Sequence, residues 1–250
     1  MIWCERGGTV SRTVLLLHGL GATAAVWRDV RQVIEQRGVA AWIAPDFSGH
    51  GLSDSCPAYS IGQFAADVAS LVRDIDEVFI VGHSLGVYVG LALASRWFGV
   101  RVTGVVGVGP KVTWSEADLQ GARDLAARPV RWYREESEAI ARYRRVSGLD
   151  ESIAPNKEWL ERGVTHGAEG FRLTQDPRTF SVGGAPFATL VASADARILL
   201  ARGERDSMVS LEELRAHQAA ACDIVGAGHN AHVEDPQAVV ALLEQVIAQT

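Results

Sequence analysis

Thr13–Leu17, Val39–Ala44, Val78–Val81 and Val102–Val108 are short, nearly continuous apolar runs, each stopped within two residues by glycine or proline. Apolar runs of this length without alternation predict strands buried on both faces. Between them lie stretches with helical period. In Ala25–Gln36, for example, Val26, Val30, Val33 and Ile34 fall on one face. Ile61–Ile75 and Leu85–Phe98 also read as helices, and Ile2–Glu5 can supply one edge strand. Strands alternating with helices predict a parallel sheet covered on both sides.

The alternation stops after Gly109-Pro110. From 112 to about 187 the pattern predicts no strand, only helical stretches at Glu116–Ala127, Val130–Arg145 and Lys157–Arg162. It then resumes with strand Arg197–Ala201, a helix near Leu211–Ala220, strand Asp223–Val225 and helix Gln237–Gln249. The expected division is an α/β core built from 1–111 and 188–250, carrying a helical insertion at 112–187. An insertion leaving the carboxyl edge of the sheet would cover the place where open α/β sheets bind ligands.

Composition narrows the class without changing this outline. The 250 residues suffice for one sizeable core. A net charge of −6, with no basic stripe, argues against a nucleic-acid partner. No apolar run approaches a membrane span, and the first residues lack a signal-peptide layout, so a cytoplasmic location is expected. Cys4, Cys56 and Cys222 are scattered and odd in number, which suggests neither a disulfide framework nor a metal site.

The chemistry enters at Gly82-His83-Ser84-Leu85-Gly86, set between an apolar strand and a helix. This is the spacing of a nucleophile elbow, a strand–turn–helix so tight that only glycine fits at the flanking positions. A serine hydroxyl needs a base, and the base needs an orienting acid. Two later strands end in Gly203-Glu204-Arg205-Asp206 and Gly226-Ala227-Gly228-His229, on the same sheet edge as Ser84. Competing acids are Glu204 and Asp235, and competing bases are His217 and His232; Glu204 and Asp235 are more simply structural. Leu85 N–H and Leu20 N–H, the latter in His18-Gly19-Leu20-Gly21, are the candidate oxyanion donors.

With Asp46-Phe47-Ser48-Gly49-His50-Gly51-Leu52-Ser53-Asp54 and Glu234-Asp235-Pro236 added, the chain resembles the α/β-hydrolase superfamily, in particular its compact, capped, esterase-like members. The resemblance runs from near residue 13 to the end. It implies Ser84 as nucleophile, His229 as base, Asp206 as orienting acid, and no cofactor or metal. His50 and His83 read as packing or hydrogen-bonding residues. Two features depart from the pattern: Val87-Tyr88 follows the elbow where relatives carry small residues, and the opening hairpin is abbreviated.

The implied activity is hydrolysis of a small, fairly apolar carboxylic ester, lactone or thioester through an acyl-enzyme on Ser84. Carbon–carbon bond hydrolysis of ring-cleavage products uses the same triad, and a slow-turnover ligand receptor is a reading from another class. Trp27 and Trp114 are the candidate substrate contacts. The arginines of the insertion, such as Arg131, Arg134, Arg144 and Arg145, read as a solvated helix face interleaved with glutamates.

Overall fold

The computed structural model describes residues 1–149, 153–154 and 156–250. Its first half alternates β1 (Cys4–Gly7), β2 (Thr13–Leu17), α1 (Arg28–Arg37), β3 (Ala41–Pro45), α2 (Ile61–Ala69), β4 (Val78–His83), α3 (Leu85–Ala94) and β5 (Val102–Val108). Next come α4 (Glu116–Ala126), α5 (Glu136–Ser147), α6 (Lys157–Gly163), β6 (Val164–Gly167) and β7 (Gly170–Leu173). The chain closes with α7 (Phe187–Ser193), β8 (Arg197–Gly203), α8 (Leu211–His217), β9 (Cys222–Ile224), α9 (Ala231–Glu234) and α10 (Pro236–Ile247).

Seven strands form one sheet in the order β1-β3-β2-β4-β5-β8-β9. Only β1 runs antiparallel, pairing Cys4 with Pro45 through Gly7 with Trp42. The uninterrupted apolar runs explain the arrangement. Every residue of β2 and β4 is buried, and two hydrophobic cores flank the sheet. One gathers Trp27, Val30 and Ile34 of the first helical region with Val239, Val240 and Leu243 of α10. The other gathers Phe64 and Val68 of α2, Val89 and Leu93 of α3, and Phe187 of α7.

Several expected boundaries shift for local reasons. The edge strand occupies Cys4–Gly7, two residues later than expected. The first helix opens with a 3-10 turn, Ala24–Trp27, whose four residues are all buried. The helix after Ser84 ends at Ala94, where the Ser95 hydroxyl donates back to Ala92 O and Arg96 turns left-handed at φ 65°. The helix expected from Val130 begins only at Glu136. Tyr133 is instead held extended by backbone hydrogen bonds with Phe171 in both directions.

The expectation that 112–187 holds no strand is corrected. β6 and β7 form an antiparallel hairpin, pairing Val164 with Leu173 and His166 with Phe171. Each strand has only four residues, mostly half-buried, so neither carries the long apolar signature of the main sheet.

Candidate functional site

Ser84 sits between β4 and α3 with φ 49° and ψ −111°, a backbone conformation that costs a non-glycine residue about 1–3 kcal/mol. The glycines around it are required by space. A Cβ on Gly82 would stand 2.6 Å from the Gly86 carbonyl, and one on Gly86 would overlap Leu17 O. The Ser84 amide donates to Val108 O at 2.9 Å, tying the turn to the end of β5. Val87 packs without strain because β5 offers Gly107 opposite it; a Cβ there would lie 2.7 Å from Val87 Cγ1.

Asp206 and His229 follow β8 and β9 on the same edge. His229 Nδ1 and Asp206 Oδ2 are 2.9 Å apart, and the Asp206 side chain is fully buried. The other carboxylate oxygen accepts from Met208 N–H at 2.8 Å. Ser84 and His229 line one cavity of about 540 Å³ together with Gly19, Leu20 and Leu85. No hydrogen bond joins the two side chains, a separation common in this kind of site before substrate tightens it. Leu20 N–H has no acceptor among the described residues. Leu85 N–H opens α3, where no intrahelical acceptor exists.

Three histidines brace this loop cluster. His18 Nε2 accepts from Phe47 N–H at 3.0 Å, so its proton sits on Nδ1 and is donated to Gly19 O at 2.8 Å. His50 Nε2 accepts from Gly21 N–H at 3.2 Å. His83 Nε2 lies 3.0 Å from the His229 carbonyl and donates to it. All three are kept neutral by burial, which lowers His18 to about 4, His50 to about 3, and His83 well below its ordinary value.

The competing residues have other tasks. Glu204 accepts from Gly226 N–H at 2.8 Å, and Asp235 caps α10 through Ala238 N–H at 2.9 Å. His232 is buried between Trp27 and His83, with ring centroids 4.6 and 4.2 Å away. His217 packs edge-on against Phe187.

Trp114 lines the cavity, its indole N–H donating to Lys111 O at 3.0 Å. Trp27, the other expected substrate contact, is not among the residues that line it. Its ring is wholly buried in the core, at the end of the 3-10 turn. Of the four arginines singled out in the sequence, only Arg145 lines the cavity beside Ser84.

Sequence reasoning missed three contributors. Gly109 has φ 60°, and a Cβ there would lie 3.1 Å from Asp206 Oδ2 and 3.3 Å from His229 Nδ1. Its signal was the Gly-Pro that closes the first block. Tyr88 donates to Lys111 O and lines the cavity. Asn230 Nδ2 donates to Gly148 O at 2.8 Å, joining the base loop to the end of α5.

The sequence profile of the alpha/beta hydrolase family matches residues 14–242. The chain belongs to that family. The curated proteins it resembles include an uncharacterized protein of Mycobacterium tuberculosis (strain ATCC 25618 / H37Rv), 43% identical over 87 residues. That match covers 34% of this chain and 25% of the relative, so the chain spans about a quarter of the length of these first relatives. The 2-succinyl-6-hydroxy-2,4-cyclohexadiene-1-carboxylate synthase of Shigella dysenteriae serotype 1 (strain Sd197) is 28% identical over 262 residues, covering 94% of this chain and 93% of its own. Among solved structures, the thioesterase domain from the curacin biosynthetic pathway superposes with a TM-score of 0.78 at 20% identity, covering 97% of this chain and 94% of that domain. No helix among the described residues is long and apolar enough to cross a membrane.

Proposed function

We propose that this alpha/beta hydrolase cleaves a small, fairly apolar carboxylic ester or thioester through an acyl-enzyme on Ser84. The observation that carries the reading is the convergence of a strained serine, a histidine held by a buried aspartate and two free loop amides on one cavity. The Ser84 hydroxyl attacks the acyl carbon while His229 Nε2 takes its proton. Asp206 keeps the other ring proton on Nδ1 and stabilises the imidazolium. Leu20 N–H and Leu85 N–H receive the developing oxyanion, where one such donor is worth about 3 kcal/mol. Collapse breaks the C–O or C–S bond, and the leaving group departs with the His229 proton. A water molecule then gives a proton to His229 and attacks the acyl carbon, and the Ser84 Oγ–C bond breaks as Oγ takes that proton back from His229, releasing the acid. Residues 112–187 act as the cap that selects the substrate, with Trp114, Phe180 and Val182 as its apolar contacts and Met208 facing them from the loop after β8.

A second reading, carbon–carbon bond hydrolysis, is favoured by an arginine and an aromatic, Arg145 and Trp114, in the same cavity. One experiment separates the two. A fluorophosphonate probe should label the wild type but not Ser84→Ala, and p-nitrophenyl esters of increasing chain length should be turned over. Absence of labelling would remove Ser84 as nucleophile. Labelling with no ester turnover would favour carbon–carbon cleavage.

A further inference from the structure

A second, smaller cavity of about 140 Å³ adjoins the Ser84 cavity, and the two share Leu125, Val146 and Phe180 as walls. Arg128, Arg131 and Arg142 line it, and no carboxylate does. None of the three forms an ion pair among the described residues, where Arg31, Arg37, Arg123, Arg162 and Arg178 each find an acidic partner. Arg131 lies 4.9 Å over the Tyr133 ring, which orients its guanidinium without neutralising it. Arg145 continues the positive charge into the Ser84 cavity, again without an ion pair among the described residues. An overall acidic protein has thus gathered, around one corner of its candidate site, four guanidinium groups that have no ion-pair partner among the described residues.

The spacing gives a length. Arg142 stands six positions before Gly148, about 9 Å along the helix direction of α5. Gly148 is beside the reacting groups, since a Cβ on it would lie 3.8 Å from His229 Cδ2. We infer that the arginine-lined cavity holds an anionic group, phosphate or carboxylate, carried on the substrate several bonds from the carbonyl that Ser84 attacks. This rests on the Ser84 reading and names the class of substrate for that site: an amphipathic ester or thioester with a charged end. The planar forks of arginine suit both oxyanions, since each can take two parallel N–H donors.

Matched substrates test it. Mono-p-nitrophenyl adipate is compared with p-nitrophenyl hexanoate, and S-hexanoyl phosphopantetheine with S-hexanoyl-N-acetylcysteamine. The expected result is that at least one charged member exceeds its neutral partner by about tenfold in kcat/KM, through a lower KM. The first pair reports a carboxylate on the acyl side, and the second a phosphate on the leaving group. Arg142→Gln and Arg128→Gln should each remove most of that advantage while leaving the neutral substrates unchanged, and about 0.5 M salt should do the same. Equal rates within both pairs, or variants that slow neutral and charged substrates alike, would overturn the inference. Calorimetric titration of the Ser84→Ala protein with adipate and with phosphopantetheine reads the anion site without turnover. Binding lost in Arg142→Gln supports it, and no binding of either probe counts against it. Failure of wild type to label with fluorophosphonate would sink the nucleophile alone.

Discussion

Gly109 carries the sharpest single-residue prediction. The His229–Asp206 pair fits because this position has no side chain and a left-handed backbone. Gly109→Ala should therefore lower kcat by about a hundredfold, by displacing the base by a fraction of an ångström. Fluorophosphonate labelling rates and ester kinetics check it; unchanged kcat would mean that the pair has room to spare. The buried histidines give a second prediction. Folded, His18 titrates at about 4, His50 and His232 at about 3, and His83 well below the ordinary value, in each case chiefly through burial. Unfolded, all four titrate near ~6.5. A depressed folded pKa means that the unfolded chain binds more protons at pH values between the folded and the unfolded pKa. Stability is thus complete above about pH 6.5 and falls as the pH drops from there towards about 3. Urea midpoints measured from pH 7 to pH 4.5 should decline, with protons taken up on unfolding. A flat profile would place these rings in contact with water.

At the scale of elements, Asn230 is the most informative link. It joins the loop after β9 to the last turn of α5 through Gly148 O, and a Cβ on Gly148 would stand 2.7 Å from its amide nitrogen. Asn230→Ala should raise KM several-fold with a smaller change in kcat, because it frees the segment shaping the cavity while leaving the Asp206 contact intact. An equal loss in both constants would instead place Asn230 in support of the base. The elements were unequally legible from sequence. Strands β2, β4 and β5 announced themselves because burial on both faces demands unbroken apolar runs, and glycines required at tight turns marked where Ser84, Asp206 and His229 would emerge. The β6–β7 hairpin did not, since its half-buried residues carry no clear period. The place of Trp27 was not legible, because a lone aromatic beside a loop reads alike whether it faces the core or a cavity. The Asn230 link joins positions 82 residues apart, and no local pattern records such a contact.

Across the whole molecule, charge links β1 to the segment between β5 and β8. Glu5 of β1 pairs with Arg31 of α1 and with Arg162 of α6 at 2.9 Å, while Arg31 also reaches Glu158 at 3.0 Å. Four half-buried or buried groups thus fasten α6 to the sheet. Glu5→Gln should lower the thermal midpoint by a few degrees, since it removes the partner of Arg162 and leaves Arg31 with Glu158 alone. The loss should exceed that from Arg37→Gln, whose pair with Glu244 is more exposed. Calorimetry on the two variants decides it; equal shifts would mean that the network adds nothing beyond its separate pairs.

The backbone of Ser84 has a consequence for anyone who tries to improve this protein in the laboratory. Its left-handed conformation suits glycine, so Ser84→Gly should melt higher than wild type while losing its hydroxyl. A library sorted by heat resistance alone would accordingly enrich inert clones at position 84. Any selection for robustness has to be coupled to turnover from the first round.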